Sequence, residues 1–304
     1  VKAHLNLFVE AYRRRGEVPA VVFEHGTLTL IVASLRMLVK PSLLRAYPLS
    51  FALPNLFGRG LQTWTGDSAI LLLIGLHEYS EASSDQSMLE NFKEEALGLL
   101  QGLLKMAGQE GLLTGSGWMD AMANYVGQPN LVLQILFYKA LRLYGFKAEA
   151  EGLKEQIQEA YWRGDEGFYS DLPGGNRLDV LGNAMAILYE LASPSQVNLI
   201  VEAFNRASTP HGVLNLHPPY SKRECSQRPH VYHNSTIWPM VQGFVAKALL
   251  KAGYRGRAKA EYERMVRLPG VYEWYTPEGK PRGSPNQLWS AAKMIEACKF
   301  LREN

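Results

Sequence analysis

The chain has 304 residues, 47% apolar and 20% charged, with a formal charge of +3. Such a length buries a large core, and the composition excludes intrinsic disorder and a Glu/Lys-rich coiled coil. Arg13, Arg14 and Arg15 form the one basic run, too little for a dedicated nucleic-acid binder. Cys225 and Cys298 cannot build a disulfide framework, and no apolar run reaches the 18 residues of a membrane span. Asn6 and Glu10 interrupt the N-terminal apolar stretch, a poor signal peptide, so a cytoplasmic protein is expected. The chain opens on Val1 rather than Met, which leaves an incomplete N-terminus open.

In chain order, residues 2–14 read as an amphipathic helix through Leu5, Phe8, Val9 and Tyr12, and residues 27–39 as an apolar one. Residues 67–82 (DSAILLLIGLHEYSEA) are apolar on nearly every face, whereas residues 88–107 repeat apolar side chains every three or four positions. The alternation continues. Residues 130–144, 179–191, 236–252 and 286–301 read as apolar helices, and residues 148–162, 195–206 and 255–267 as amphipathic or charged ones. Buried helices therefore begin near residues 67, 130, 179, 236 and 286, a period suited to stacked helix pairs. The pattern fits a closed ring of inner and outer helices, and equally an open α-solenoid.

Polar and aromatic residues gather in the loops before the apolar helices. These loops carry Arg59, Trp64 and Asp67; Trp118 and Asp120; Asn176, Arg177 and Asp179; His230, Tyr232, His233, Asn234 and Trp238; and Glu273, Trp274, Gln287 and Trp289. Parallel inner helices would bring all five loops to one end, where function sits on a rigid scaffold. The mixture suits a sugar: rings cover C–H faces, while Asp, Asn, Arg and His bond the hydroxyls. Glycosidic cleavage needs one carboxyl to give a proton and another to activate water, and Asp120 and Glu273 are the best such pair.

Each assignment has a structural counterpart. A Trp at a helix start is also a packing anchor, Asp67 also a helix cap, and Ser235 and Thr236 read as caps. His230 and His233 have no third ligand nearby, so no metal site is expected. Tyr161, Trp162 and Tyr262 read as structural, Cys225 has no assigned base, and Gly174–Gly175 is no phosphate loop.

GWMDA followed by GQPNLVLQILFYKALR resembles the segment around the proton-donating Asp of amylo-α-1,6-glucosidases, the C-terminal domain of glycogen-debranching enzymes, and the matching segment of alkaline/neutral invertases. YHNSTIWP is similar to the debranching motif and NRLDVLGNAMAIL to the invertases, while EWYTPEGKPRGSPNQLWSAA and GDSAILLLIGLHEYSEASSD resemble both. Ser235, Met240 and residues 221–230 depart from the debranching pattern. The resemblance spans about residues 50–304. It implies an all-α fold, an (α/α)6 barrel or six-hairpin toroid, as a single catalytic domain over residues 1–304. It also implies an inverting, exo-acting glycoside hydrolase on α-glucosides such as glycogen-type branch stubs. Asp120 is then the acid, Glu273 the base, and Asp67 a binder of the terminal sugar. Trp64, Trp118, Arg177, His233, Asn234, Trp238, Gln287 and Trp289 complete the expected substrate site. No cofactor or metal is required, and the expected partner is an oligosaccharide or small glycoside rather than nucleic acid or membrane; oligomeric state stays open. The alternatives are a sucrose-cleaving invertase or other small-glycoside hydrolase, a silent sugar-binding or scaffold protein, and a sugar epimerase using His230 or His233.

Overall fold

The computed structural model describes residues 1–16, 18, 66–108, 111–115, 117–125, 127–225 and 227–303. The expected helix over 27–39, Arg59 and Trp64 lie outside these. Among the described residues the chain is helical, with strands only as short paired pieces. It forms two compact units. One comprises Val1–Ala121, Tyr125–Gln128 and Leu136–Ala150; the other comprises Met122–Asn124, Pro129–Ile135 and Glu151–Asn304.

In the first unit, α1 (Lys2–Arg15) ends at Gly16, whose left-handed φ of 73° turns its N–H back to Tyr12 O. Helix α1 packs on α2 (Ser68–Ser83). The approach is close at Gly75, where a Cβ would stand 3.3 Å from Leu5 Cδ2. Ile70, Leu72, Leu73, Ile74 and Leu76 of α2 are buried, but Leu71 is exposed, so its all-round apolar sequence is not matched by burial on every face. The single helix expected over 88–107 is instead two, α3 (Ser87–Asn91) and α4 (Lys93–Ala107). The break falls at Phe92, whose fully buried ring meets Tyr12 edge-on at 5.6 Å. Burying a Phe side chain is worth about 1.5–3 kcal/mol, more than an uninterrupted helical repeat.

Helices α5 (Leu131–Leu143) and α6 (Lys147–Tyr161) contribute residues to both units. In the second unit α6 runs into the hairpin β1 (Trp162–Arg163) and β2 (Phe168–Tyr169). Tyr161 donates its hydroxyl to Pro129 O and Trp162 meets Tyr169 edge-on, both as structural residues. Strand β3 (Leu178–Asp179) leads into α7 (Val180–Leu188), where every residue from Val180 to Ile187 is buried. Asp179 caps that helix, accepting from Gly182 N at 3.0 Å. Gly182 is required by contact, because a Cβ would lie 2.5 Å from Leu131 Cδ2.

Helix α8 (Pro194–Ala207) opens on a Ser193/Gln196 capping box with Pro194 in its first turn. Strands β4 (Ser208–Thr209) and β5 (Gly212–Val213) follow, and β6 (Leu216–His217) pairs antiparallel with β3. Helix α9 (Pro239–Lys251) packs between α7, α10 (Arg255–Val266) and α11 (Leu288–Glu303), while β7 (Tyr272–Tyr275) and β8 (Pro281–Pro285) form a hairpin before α11.

The apolar helices thus begin at residues 68, 131, 180 and 288, within two positions of expectation. The exception is α9, which starts at Pro239 rather than Thr236. Ser235 has a φ of 67° and Ile237 bridges Leu214 and Tyr275, so the chain is extended where helix was expected. Ser235 and Thr236 are therefore not caps; the Thr236 hydroxyl donates to Tyr232 O. Helix α11 also departs from full burial. Met294, Phe300 and Leu301 pack against Tyr262 and Met265, while Leu288 and Ile295 are exposed.

Candidate active site

The β7–β8 hairpin presents Glu273. Its Oε1 accepts from the Tyr232 hydroxyl at 3.0 Å and its Oε2 from Ser284 N at 3.0 Å. Gly283, with φ 73°, makes room for the carboxylate: a Cβ there would stand 2.8 Å from Glu273 Cβ and collide with Oε2. The side chain is half-buried and held at both oxygens, each with lone-pair capacity left over. A carboxylate so fixed can accept a proton from water.

Tyr232 belongs to a cluster of aromatic rings. Tyr232 lies 4.1 Å from His233, 5.3 Å from Trp238 and 6.1 Å from Trp274 between centroids, and Trp238 meets Trp289 edge-on at 5.9 Å. His233 stacks on Trp238 at 4.9 Å. Burial pushes its pKa down to about 3, so the ring is neutral. Trp238 is fully buried and donates Nε1–H to Thr236 Oγ1 at 2.9 Å, whereas Trp289 is 38% exposed. Gln287 precedes α11 and is half-buried.

Asn234 straps the loop. Its side-chain oxygen accepts from Tyr220 N at 2.8 Å, and its Nδ2 donates to Tyr220 O and Gln227 O. Asn215 does the same from the other side, donating to His233 O and accepting from Thr236 N. As placed, Asn234 and Trp238 shape the loop that holds Tyr232. His230 Nδ1 lies 2.9 Å from Ser235 O. Among the described residues no three His, Cys, Asp or Glu side chains converge as metal ligands.

Arg177 lies flat on Tyr220, 3.7 Å from the ring centroid, and bonds Glu224 at 2.5 Å. Ser221, through hydroxyl and backbone N–H, and Arg177 hold the Glu224 carboxyl down to about 2. Tyr220 in turn donates to Asp171, fully buried like Asp179. Burial, with the nearby Asp171 charge adding to it, raises Asp179 to about 7 despite the Gly182 hydrogen bond.

The first unit holds the other expected carboxyls. Asp67 stands at the N-terminus of α2 without a side-chain capping bond, and burial raises it to about 6. Asp120 follows the short 3-10 turn Gly117–Met119; it and Trp118 are half-buried, and Met119 is buried. Glu273, His233, Asn234, Trp238 and Trp289 thus come together within the second unit. Tyr232, quoted in its loop but not assigned a site role by the sequence, bonds Oε1 of the carboxylate through its hydroxyl.

Residues 142–290 match the family described as the mannosylglycerate hydrolase MGH1-like glycoside hydrolase domain. Glu273 falls inside that segment and Asp120 outside it. No curated protein matches the chain. Among solved structures, the GH63 mannosylglycerate hydrolase from Thermus thermophilus in complex with glucose is similar at TM-score 0.58 and 16% identity, covering 75% of each chain. An uncharacterized conserved protein from the same organism has TM-score 0.57 and 14% identity over 75% of this chain and 76% of its own. A rhamnosidase from Klebsiella oxytoca with rhamnose bound has TM-score 0.57 and 15% identity over 79% and 47%. The fold class is all-α, an (α/α)6 barrel like that of these neighbours, and residues 142–290 are similar to a glycoside hydrolase domain.

Proposed function

We propose that the chain is an inverting, exo-acting hydrolase of short α-glycosides, with Asp120 as general acid and Glu273 as general base. Asp120 protonates the glycosidic oxygen as its bond to the anomeric carbon breaks. Glu273 takes a proton from the water that attacks the opposite face. The observation that carries this reading is Glu273, half-buried, held at both oxygens and bonded by Tyr232, whose ring meets Trp274 at 6.1 Å, inside the matched segment. Asp67 and Trp118 are proposed as contacts to the terminal sugar, together with Arg177, Gln287 and Trp289. His233, Asn234 and Trp238 are buried and act on the same site by shaping the loop that holds Tyr232. A single catalytic domain over 1–304 and a cytoplasmic location belong to this proposal; no described helix is long and apolar enough to cross a membrane.

The substrate class has two readings. The GWMDA and YHNSTIWP motifs favour α-glucosides, including branch stubs. The match over 142–290 favours an α-glycoside of a small organic acid, as the name of that family suggests. A panel of α-glucosyl oligosaccharides, α-mannosyl- and α-glucosylglycerate, sucrose and trehalose, scored for released monosaccharide, separates them. Release from none would sink the hydrolase reading.

A further inference from the structure

We propose that Tyr232 is a positioning residue for the proton transfer, one that fixes the plane of the Glu273 carboxylate through its hydroxyl. The inference rests on Glu273 being the base. Tyr232 and Glu273 are 41 residues apart, yet the hydroxyl reaches Oε1 at 3.0 Å. A bulky residue with φ 54° is uncommon and persists only where its surroundings over-determine it. Here they do. His230 and Ser235 are left-handed too, with φ 62° and 67°. Trp238 Nε1 and the Thr236 hydroxyl both donate to Tyr232 O, and the Asn234 and Asn215 straps close the loop on either side.

The construction serves orientation rather than packing alone. With Tyr232 on Oε1 and Ser284 N–H on Oε2, the carboxylate cannot swing, and each oxygen keeps a further lone pair for water. During attack the water O–H bond breaks toward Glu273 while the water oxygen bonds the anomeric carbon. The glycosidic electron pair leaves with the oxygen that Asp120 protonates, and Tyr232 keeps its own proton. Misplacing a catalytic group by an ångström loses about 10²-fold in rate.

The test uses the full chain with Tyr232→Phe, Glu273→Gln and the double variant. The probe is α-glucosyl or α-mannosyl fluoride, whichever is turned over, because fluoride leaves without an acid and isolates the base side. Tyr232→Phe should lower kcat by about 10²-fold with KM within about twofold. The double variant should be no slower than Glu273→Gln, since Tyr232 acts through that carboxylate. A kcat near wild type in Tyr232→Phe, or losses that multiply in the double variant, would overturn the proposal. Near-wild-type turnover by Glu273→Gln would instead remove the base assignment, and the Tyr232 role with it. If Tyr232→Phe does not fold, Tyr232→His, which tolerates a positive φ but places no hydroxyl on Oε1, should show the same fall in kcat with KM little changed; a kcat near wild type there would equally refute the role.

Discussion

Asp179→Asn should make the protein more stable at pH 8 and leave it almost unchanged at pH 4. Asp179 is fully buried, and burial together with the Asp171 charge raises its pKa from 3.8 to about 7. Below pH 3.8 both the native and the unfolded carboxyl are protonated, so the group contributes nothing. Between 3.8 and about 7 the unfolded chain releases the proton while the native one retains it, and stability falls as pH rises. Above about 7 the ionised carboxylate is buried at full penalty. The gap between 3.8 and about 7, at 1.36 kcal/mol per pH unit, corresponds to about 4 kcal/mol. Asparagine caps a helix about as well as aspartate, so the bond from Gly182 N survives and only the charge is removed. Urea denaturation of both proteins at several pH values reads the difference directly. A stability difference independent of pH, or a loss on substitution at pH 8, would mean that Asp179 is stabilised as a carboxylate and would refute the reasoning.

Asp120→Asn and Glu273→Gln should each lower kcat by at least about 10²-fold on a natural glycoside, with the double variant little worse, as steady-state kinetics will show. Proton NMR during hydrolysis of an α-glycoside should first show the β-anomer of the released sugar; initial α-anomer would mean retention. Asn234→Ala strips three hydrogen bonds from buried loop groups. At about 1–3 kcal/mol for each group left unpaired, it should lower the thermal midpoint markedly, and an unchanged midpoint would show the strap to be idle. Gly182→Ala should destabilise by about 1–3 kcal/mol, measured by denaturant titration, because its methyl would enter Leu131.

Helix starts were legible because their signals are local. Asp179 sits before α7, Ser193 with Pro194 and Gln196 opens α8, and apolar runs follow each within a turn. Glu273 stands out in the sequence as an acid among aromatics in a Gly-containing segment, but the Tyr232 and Ser284 bonds that hold it do not. The alternation of apolar and amphipathic helices likewise marked the all-α class. Tertiary contacts decided the rest. Phe92 interrupts a continuous helical repeat because a ring 80 residues earlier, Tyr12, receives it. Residues 236–237 stay out of the helix, against their apolar helix pattern, because Asn215, Leu214 and Tyr275 bond that backbone from distant segments. Tyr232 acquires its place only when the strap of Asn234 bends its loop onto a hairpin 41 residues further on. Periodicity and capping act over three or four residues and are written in order along the chain. Straps, left-handed turns and buried charges such as Asp179 depend on which distant backbone groups arrive beside them, and only the folded chain brings those together.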